Sequence, residues 1–199
     1  MTAAINLILA SASPRRAELL SQIGVQYSIC SADIDESVLS GESPAGYVGR
    51  LAQEKAQAIL SAQPESIVIA ADTTVVLADK ILGKPENEEH AVEILQSLSG
   101  NVHHVYSGVA VCKMQQGKVQ VLSDVVATEV TFLPLTLDQI KRYIATKEPM
   151  DKAGAYGIQG KAAVFVESIQ GSYSNVVGLP LAQTAKMLAK FDVPIWQAE

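Results

Sequence analysis

The chain has few of the residues that build metal clusters, disulfide frameworks or nucleic-acid platforms. Its 199 residues include two cysteines, three histidines, one tryptophan and 5% aromatics. Cys30 and Cys112 lie in apolar, strand-like segments with no Cys or His ligand pattern nearby. They read as buried thiols of a reducing compartment rather than as a disulfide pair. His90, His103 and His104 also lack metal-ligand spacing, and in a strand the last two would face opposite ways. No apolar run approaches the ~20 residues needed to cross a bilayer. The opening "MTAAINLILASAS" has a short apolar stretch and no basic region before it, so it predicts a first core strand. The expectation is a cytoplasmic protein without a membrane partner. A formal charge of −6 argues against broad binding to nucleic acid, and no basic strand is interleaved with aromatics.

What the chain does have is a core. With 48% hydrophobic and 18% charged residues, disorder is excluded, and the length suits one domain spanning 1–199. "INLILA" (5–10) reads as a buried strand. Ser13 and Pro14 then give an N-cap and first helical residue, and Gly24 a left-handed stop. "VQYSIC" (25–30) alternates like a second strand and leads into the acidic "ADIDESVLSGES". Ser43 and Pro44 open a helix to about residue 62, and 66–77 reads as a central strand. "KILGKPEN" reads as a turn. Asn87 caps a helix with Val92, Leu95 and Leu98 on one face, stopping at Gly100. Residues 102–112 and 118–132 form a long hairpin around "QQGK". Thr136 and Gln139 have capping-box spacing before a helix at 137–146. A glycine-rich loop, a strand at 162–168, a turn and a helix after Pro180 complete the pattern. Helices interleaved with strands, plus an antiparallel hairpin, predict an α/β fold with a mixed sheet and flanking helices.

Several polar residues sit where this pattern does not need them. Arg15 and Arg16 occupy the first turn of the first helix, where a cation opposes the helix dipole unless an anion offsets it. Guanidinium groups at that point suit phosphate, although two solvated arginines are the plainer reading of "PRR" alone. Lys55 falls in the middle of the apolar stripe Val48, Leu51, Ala52, Ile59, so it must snorkel, pair with a carboxylate or reach into a site. Asp72 interrupts the central strand, and an aspartate is almost never buried there unless paired. It is placed either to serve a metal or water at a strand's carboxyl end, or to be neutralised as part of the core. Asp33, Asp35 and Glu36 add a second acidic group. Lys84 lies in the turn beyond the Asp72 strand. "GAYGIQGKA" fails as a Walker A loop, because Ala155 and Ala162 replace the first Gly and the metal-binding hydroxyl. Its glycines still allow close backbone approach to a ligand, and Gln159 could read a base edge.

Taken in order, "SASPRRAELL", "EKA", "AADT", "GKP", "DKAGAYGIQG" and "GSYSNVVGLPL" resemble the Maf family of nucleoside triphosphate pyrophosphatases, from residue 7 to about residue 190. The resemblance implies two lobes around a cleft, similar to the inosine triphosphate pyrophosphatases. It also implies hydrolysis of a nucleoside triphosphate to monophosphate and diphosphate with a divalent cation, Mg or Mn. "SPRR", "ADT" and "GIQG" look like the dTTP/UTP branch. The 7-methyl-GTP branch instead carries Trp after the proline, Gln after the Asp and Glu in place of the Gln. By that likeness Arg15, Thr73 and Gln159 select the base and Asp72 accepts a proton. Ser13, Arg15, Arg16, Lys55 and Lys84 form the phosphate-binding set, and Glu36 with Asp72 holds metal. How the last two divide metal and base roles stays open. Asn87 stands where relatives often have Asp, and it caps a helix equally well. The expected partner is the nucleotide substrate; a homodimer is admissible, and the sequence does not fix one. The competing function is a non-catalytic nucleotide-binding regulator of cell division. Retention of both Asp72 and Glu36 favours the enzyme, since a pure binder needs cations more than carboxylates.

Overall fold

The computed structural model describes residues 5–197. A seven-stranded mixed sheet runs in the order β2-β1-β3-β5-β6-β7, with β4 paired to β3 alone. In chain order, β1 (Leu7–Leu9), α1 (Pro14–Gln22), β2 (Ser28–Ile29) and α2 (Pro44–Ala62) precede β3 (Ile67–Leu77) and β4 (Lys80–Leu82). Then come α3 (Glu88–Leu98), β5 (Val102–Gln115), β6 (Lys118–Phe132), α4 (Leu137–Ala145), β7 (Val166–Gln170), α5 (Tyr173–Val177) and α6 (Leu181–Lys190). β1 pairs in parallel with both β2 and β3, while β4 and β7 add antiparallel to β3 and β6. No helix among the described residues is long and apolar enough to cross a membrane.

The chain divides into two compact units. Among the described residues, the first comprises 5–72, 107–126 and 178–197, and the second 73–106 and 127–177. The core of the first unit follows from sequence periodicity. Ala52, Ala56, Ile59 and Leu60 of α2 pack with Ile8, Ala10, Val68, Ala70, Ala110 and Cys112 of the strands. Small residues on the helix let it lie close to the sheet. At Gly108 of β5 the approach is closest: a Cβ there would run into the carbonyl group of Val48 on α2. Cys112 is sealed within this core and Cys30 half-buried, both as free thiols, and burial pushes the Cys112 thiol up to about 12.

In the second unit, α3 packs against α4. The buried face of α3 is Ala91, Ile94, Leu95 and Leu98, and Val92, expected on that face, is only half-buried. An aromatic ladder joins His103, Tyr156, Phe132, Phe165 and Tyr143, with edge-to-face contacts between ring centres 4.8–6.1 Å apart. His103 is fully buried and its neighbour His104 exposed, as alternation along a strand requires.

Local signals placed most boundaries. Ser43 caps α2 by accepting from the Gly46 N–H, Asn87 caps α3, and Thr136 with Gln139 forms a complete capping box on α4. The long hairpin closes through Gln116 and Gly117, both at positive φ as a two-residue turn demands. Three expectations are corrected. "KILGKPEN" is not only a turn, because Lys80–Leu82 folds back as a strand on β3. Residues 161–165 form a 3₁₀ turn, so the last strand starts at Val166 rather than 162. Ser13 occupies the N-cap position of α1, but its hydroxyl makes no capping bond.

Candidate active site

In the first unit, β1 ends at Leu9 opposite Ile69 of β3, and the chain turns away into α1. β3 continues past that point, so Asp72 lies in mid-strand, three residues beyond the last position paired with β1. It is 7% exposed, and a carboxylate so buried requires a partner. Lys55, 8% exposed on the buried face of α2, supplies it: Nζ donates to Asp72 Oδ1 at 2.7 Å. The same Nζ lies 2.7 Å from Glu36 Oε1, so one ammonium joins two carboxylates separated by 36 residues in the chain. Glu36 is the solvent-facing member of the trio, its side chain 54% exposed. The stranded lysine of the apolar stripe therefore pairs with carboxylates rather than snorkelling.

Arg16 approaches the trio from the helix side. Its Nε donates to the Gly178 carbonyl at 2.9 Å and its Nη1 to Ser11 Oγ at 3.0 Å. Burial lowers its pKa, Asp72 and Glu36 raise it, and the neighbouring Arg15 lowers it, with a net shift downward. Arg16 thus lies in the field of both carboxylates. Ser11 is buried and also accepts the Ser13 backbone N–H, so it fixes the strand-to-helix turn and the Arg16 side chain together. Arg15 and Ser13 are half-buried at the same turn.

The acidic loop holding Glu36 is tied down by α2. Arg50 Nε donates to Glu42 Oε1 at 2.7 Å, and its Nη2 to Glu42 Oε2 and to the Ser37 carbonyl. That fork holds the Glu42 carboxyl down at about 2. Glu42 in turn accepts the Leu39 N–H, and Tyr47 donates its hydroxyl to the Glu36 carbonyl at 3.0 Å. Burial, with Asp72 and Glu36 nearby, pushes the Tyr47 hydroxyl up to about 12, so it stays a donor. Asp33 and Asp35 are exposed, and Asp35 accepts the Ser37 N–H.

Sequence reasoning found Arg16, Glu36, Lys55 and Asp72, which the structure brings together. It missed Ser11, Gly178, Tyr47, Glu42 and Arg50. The i+8 spacing of Glu42 and Arg50 gave no sign, since a loop residue and a helix residue meet only after folding. The remaining sequence candidates belong to the second unit. Thr73 follows Asp72 directly and is half-buried in β3. Lys84 is exposed in the loop after β4, and Gln159 is exposed on the glycine-rich loop.

The donor chemistry suits a hard divalent cation. Glu36 and Asp72 offer two carboxylate oxygens that already converge on one positive charge, and Mg²⁺ is commonly held by one or two carboxylates plus water and phosphate oxygens. Among the described residues, no group of three or more His, Cys, Asp or Glu is arranged to hold a metal. The residues present therefore fit a metal shared with a phosphate ligand better than a closed structural site.

A mixed sheet flanked by helices, with a lysine of one helix joining a loop glutamate to a mid-strand aspartate, defines an α/β protein with a largely buried cation–carboxylate site. The family comparison narrows that class: residues 6–191 match the Maf-like protein model, and the chain belongs to that family. A protein of Colwellia psychrerythraea is 52% identical over 188 residues, covering 92% of this chain and 87% of its own length. One of Anaeromyxobacter dehalogenans is 50% identical, covering 96% and 97%, and one of Myxococcus xanthus 47%, covering 96% of each. All three carry the name dTTP/UTP pyrophosphatase.

Proposed function

We propose that this protein hydrolyses nucleoside triphosphates, dTTP and UTP by preference, to the monophosphate and diphosphate. The observation that carries the reading is the Glu36–Lys55–Asp72 trio with Arg16 beside it, in a chain about half identical to pyrophosphatases of that specificity.

The reaction breaks the bridge between the first and second phosphorus atoms, with water adding across it. Asp72 accepts the proton of the attacking water. Its burial and its fixed bond to Lys55 hold Oδ1 in one place, leaving the second oxygen for the proton. Lys55, Arg15, Arg16 and Lys84 neutralise the phosphates, and Ser13 adds a hydroxyl donor at the helix turn. Most of the acceleration then comes from positioning and charge stabilisation. Glu36 and Asp72 would hold a Mg or Mn ion, which when bound supplies further neutralisation of phosphate charge. Arg15, Thr73 and Gln159 take base selection. The reading makes the nucleotide the only required partner and the cytoplasm the compartment. It needs no nucleic acid or membrane, and a homodimer is compatible with it.

The test is diphosphate release from a panel of nucleoside triphosphates with Mg²⁺ or Mn²⁺, comparing wild type with Asp72→Asn. Metal-dependent turnover of dTTP and UTP that is lost in the variant supports the reading. Turnover confined to a methylated purine overturns the specificity. Binding without turnover of any nucleotide overturns the activity and leaves a nucleotide-binding regulator.

A further inference from the structure

In the second unit, the loop carrying Gln159 is built on a carboxylate with no place in the reaction above. Residues 157–160, "GIQG", form a tight turn closed by the Gly160 N–H donating to the Gly157 carbonyl at 3.0 Å. Within it Ile158 is buried, 8% exposed, and anchors one side of the turn. Gln159 is the next residue and is exposed. The turn's exit is fastened by Glu148, where both carboxylate oxygens accept the Lys161 N–H, at 2.9 and 3.0 Å. The hydroxyl of Tyr143, on α4, donates to Glu148 Oε1 at 3.0 Å. Burial alone would raise the Glu148 pKa, but the N–H groups of Lys161 and Ala162 and the Tyr143 hydroxyl outweigh it, and the carboxyl is lowered.

The two glycines make this clasp feasible. A Cβ on Gly160 would occupy the space of the Glu148 carboxylate, and one on Gly157 would come within 2.8 Å of Lys152 Cε. Lys152 in turn donates to the Glu148 carbonyl and to Asp151 Oδ1, both at 2.6 Å, which stiffens the segment bearing Glu148. The loop therefore lies directly on a charged, hydrogen-bonded base. A surface loop meant only to connect two elements would not need a buried anchor, two Cβ-free contacts and a carboxylate binding its backbone.

We propose that Glu148 is a positioning residue for substrate specificity: it fixes the 157–160 turn so that Gln159 presents one orientation to the nucleotide base. The inference rests on the assignment of Gln159 to base selection. Glu148 touches neither base nor phosphate; it acts through the backbone of Lys161. Its loss lets Gln159 wander, which weakens ground-state recognition of the base and leaves the reacting phosphates alone.

The experiment measures kcat and KM for dTTP, UTP and dATP in wild type, Gln159→Ala, Glu148→Gln and the double variant, with amide hydrogen exchange across residues 157–162. Glu148→Gln keeps the size but replaces an acceptor oxygen with a donor. It is expected to raise KM for dTTP about tenfold with kcat within about twofold, and to lower the pyrimidine preference by about the same tenfold factor. Exchange at the Lys161 amide should quicken, and the double variant should discriminate no worse than Gln159→Ala, because both act through one side chain. If Gln159→Ala loses the preference while Glu148→Gln retains it, the positioning role is overturned and the Gln159 assignment stands. Additive losses in the double variant also overturn it. If Gln159→Ala keeps the preference, the base-selection reading falls first and this inference with it. Should Glu148→Gln fold poorly, Tyr143→Phe removes a single hydrogen bond to the same carboxylate and is expected to shift KM two- to threefold (about 0.5 kcal/mol) in the same direction. An unchanged KM in that variant would count against the clasp.

Discussion

Lys55 Nζ donates to Asp72 Oδ1 at 2.7 Å, and both side chains are about nine-tenths withdrawn from solvent. The pair explains why an apolar helix stripe carries a lysine and an apolar strand carries an aspartate: each makes the other's burial tolerable. Removing one partner leaves a largely buried charge without the ion pair that offsets its burial. Lys55→Met is therefore expected to cost about 3 kcal/mol of stability in urea unfolding, while Glu36, being half exposed, partly rehydrates. On the proposed reading the Lys55 ammonium also neutralises phosphate, so turnover of dTTP by the variant should fall at least about a hundredfold. Wild-type stability in that variant would show that the pair is not structural.

The position of Lys55 depends in turn on how closely α2 meets β5. Gly108 has no side chain where the Val48 carbonyl passes, and Gly49 N would be 2.9 Å from any added Cβ. Those atoms are backbone and cannot rotate aside. Gly108→Ala should destabilise the fold by about 2 kcal/mol or more and lower kcat even where the protein remains folded, because Lys55 is two turns further along the same helix. Circular dichroism melts paired with activity at a temperature below the transition separate the two effects. Unchanged melting would mean that α2 can withdraw without penalty.

Elements set by local chemistry were legible in the sequence. The caps at Ser43, Asn87 and Thr136 and the two-residue hairpin turn are decided within four or five residues, and all appear as the side chains suggest. The misplaced charges were also legible: Lys55 and Asp72 each interrupt an apolar pattern, and Arg16 sits in a first helical turn where a cation opposes the dipole. What escaped was whatever needs a distant partner to exist. β4 is three residues long and is a strand only because β3 lies beside it. Residues 161–165 have strand composition, yet Glu148 binds the Lys161 N–H and the chain coils into a 3₁₀ turn first. The ties from Arg50 to Glu42 and Ser37 have no periodic trace at all.

Those ties predict a role for residues that touch no substrate. Arg50 and Tyr47 hold the loop that delivers Glu36 to Lys55. Arg50→Met and Tyr47→Phe should leave Glu36 less well placed, so the metal concentration giving half-maximal activity should rise by about three- to tenfold, with maximal turnover less affected. Titrating activity with Mn²⁺ for each variant measures this. An unchanged metal dependence in both would remove Glu36 from the metal-holding role.

Base selection is the part of the reading that a residue exchange probes directly. The proposed reading gives base selection to Arg15, Thr73 and Gln159, the three places at which the family resemblance implies that the 7-methyl-GTP branch differs. The combined variant Arg15→Trp, Thr73→Gln, Gln159→Glu should lose at least about tenfold in kcat/KM for dTTP and gain activity toward 7-methyl-GTP. Equal losses on every nucleotide, with no gain on the methylated purine, would place specificity in other residues.

The second unit carries a separate pH dependence. His103 is fully buried, Nε2 shares a hydrogen bond of 2.9 Å with the Tyr156 hydroxyl, and its Nδ1 has no hydrogen-bond partner among the described residues. Burial, with a smaller contribution from His104, lowers its pKa from 6.5 to about 4. An unfolded chain would protonate the imidazole near its ordinary value, so between the two values the unfolded state binds more protons than the folded one. The stability contributed by keeping this ring neutral is complete above about pH 6.5 and is lost as pH falls toward 4, on the order of 2–3 kcal/mol across the window. His103→Gln keeps a polar group facing Tyr156 and removes the titration. Urea unfolding at about pH 7 and about pH 4.5 should therefore show a drop in wild type that is smaller in the variant by about 2 kcal/mol. Parallel losses in the two proteins would mean that the acid sensitivity arises from carboxylates elsewhere and that His103 is already protonated, or never protonated, in both states.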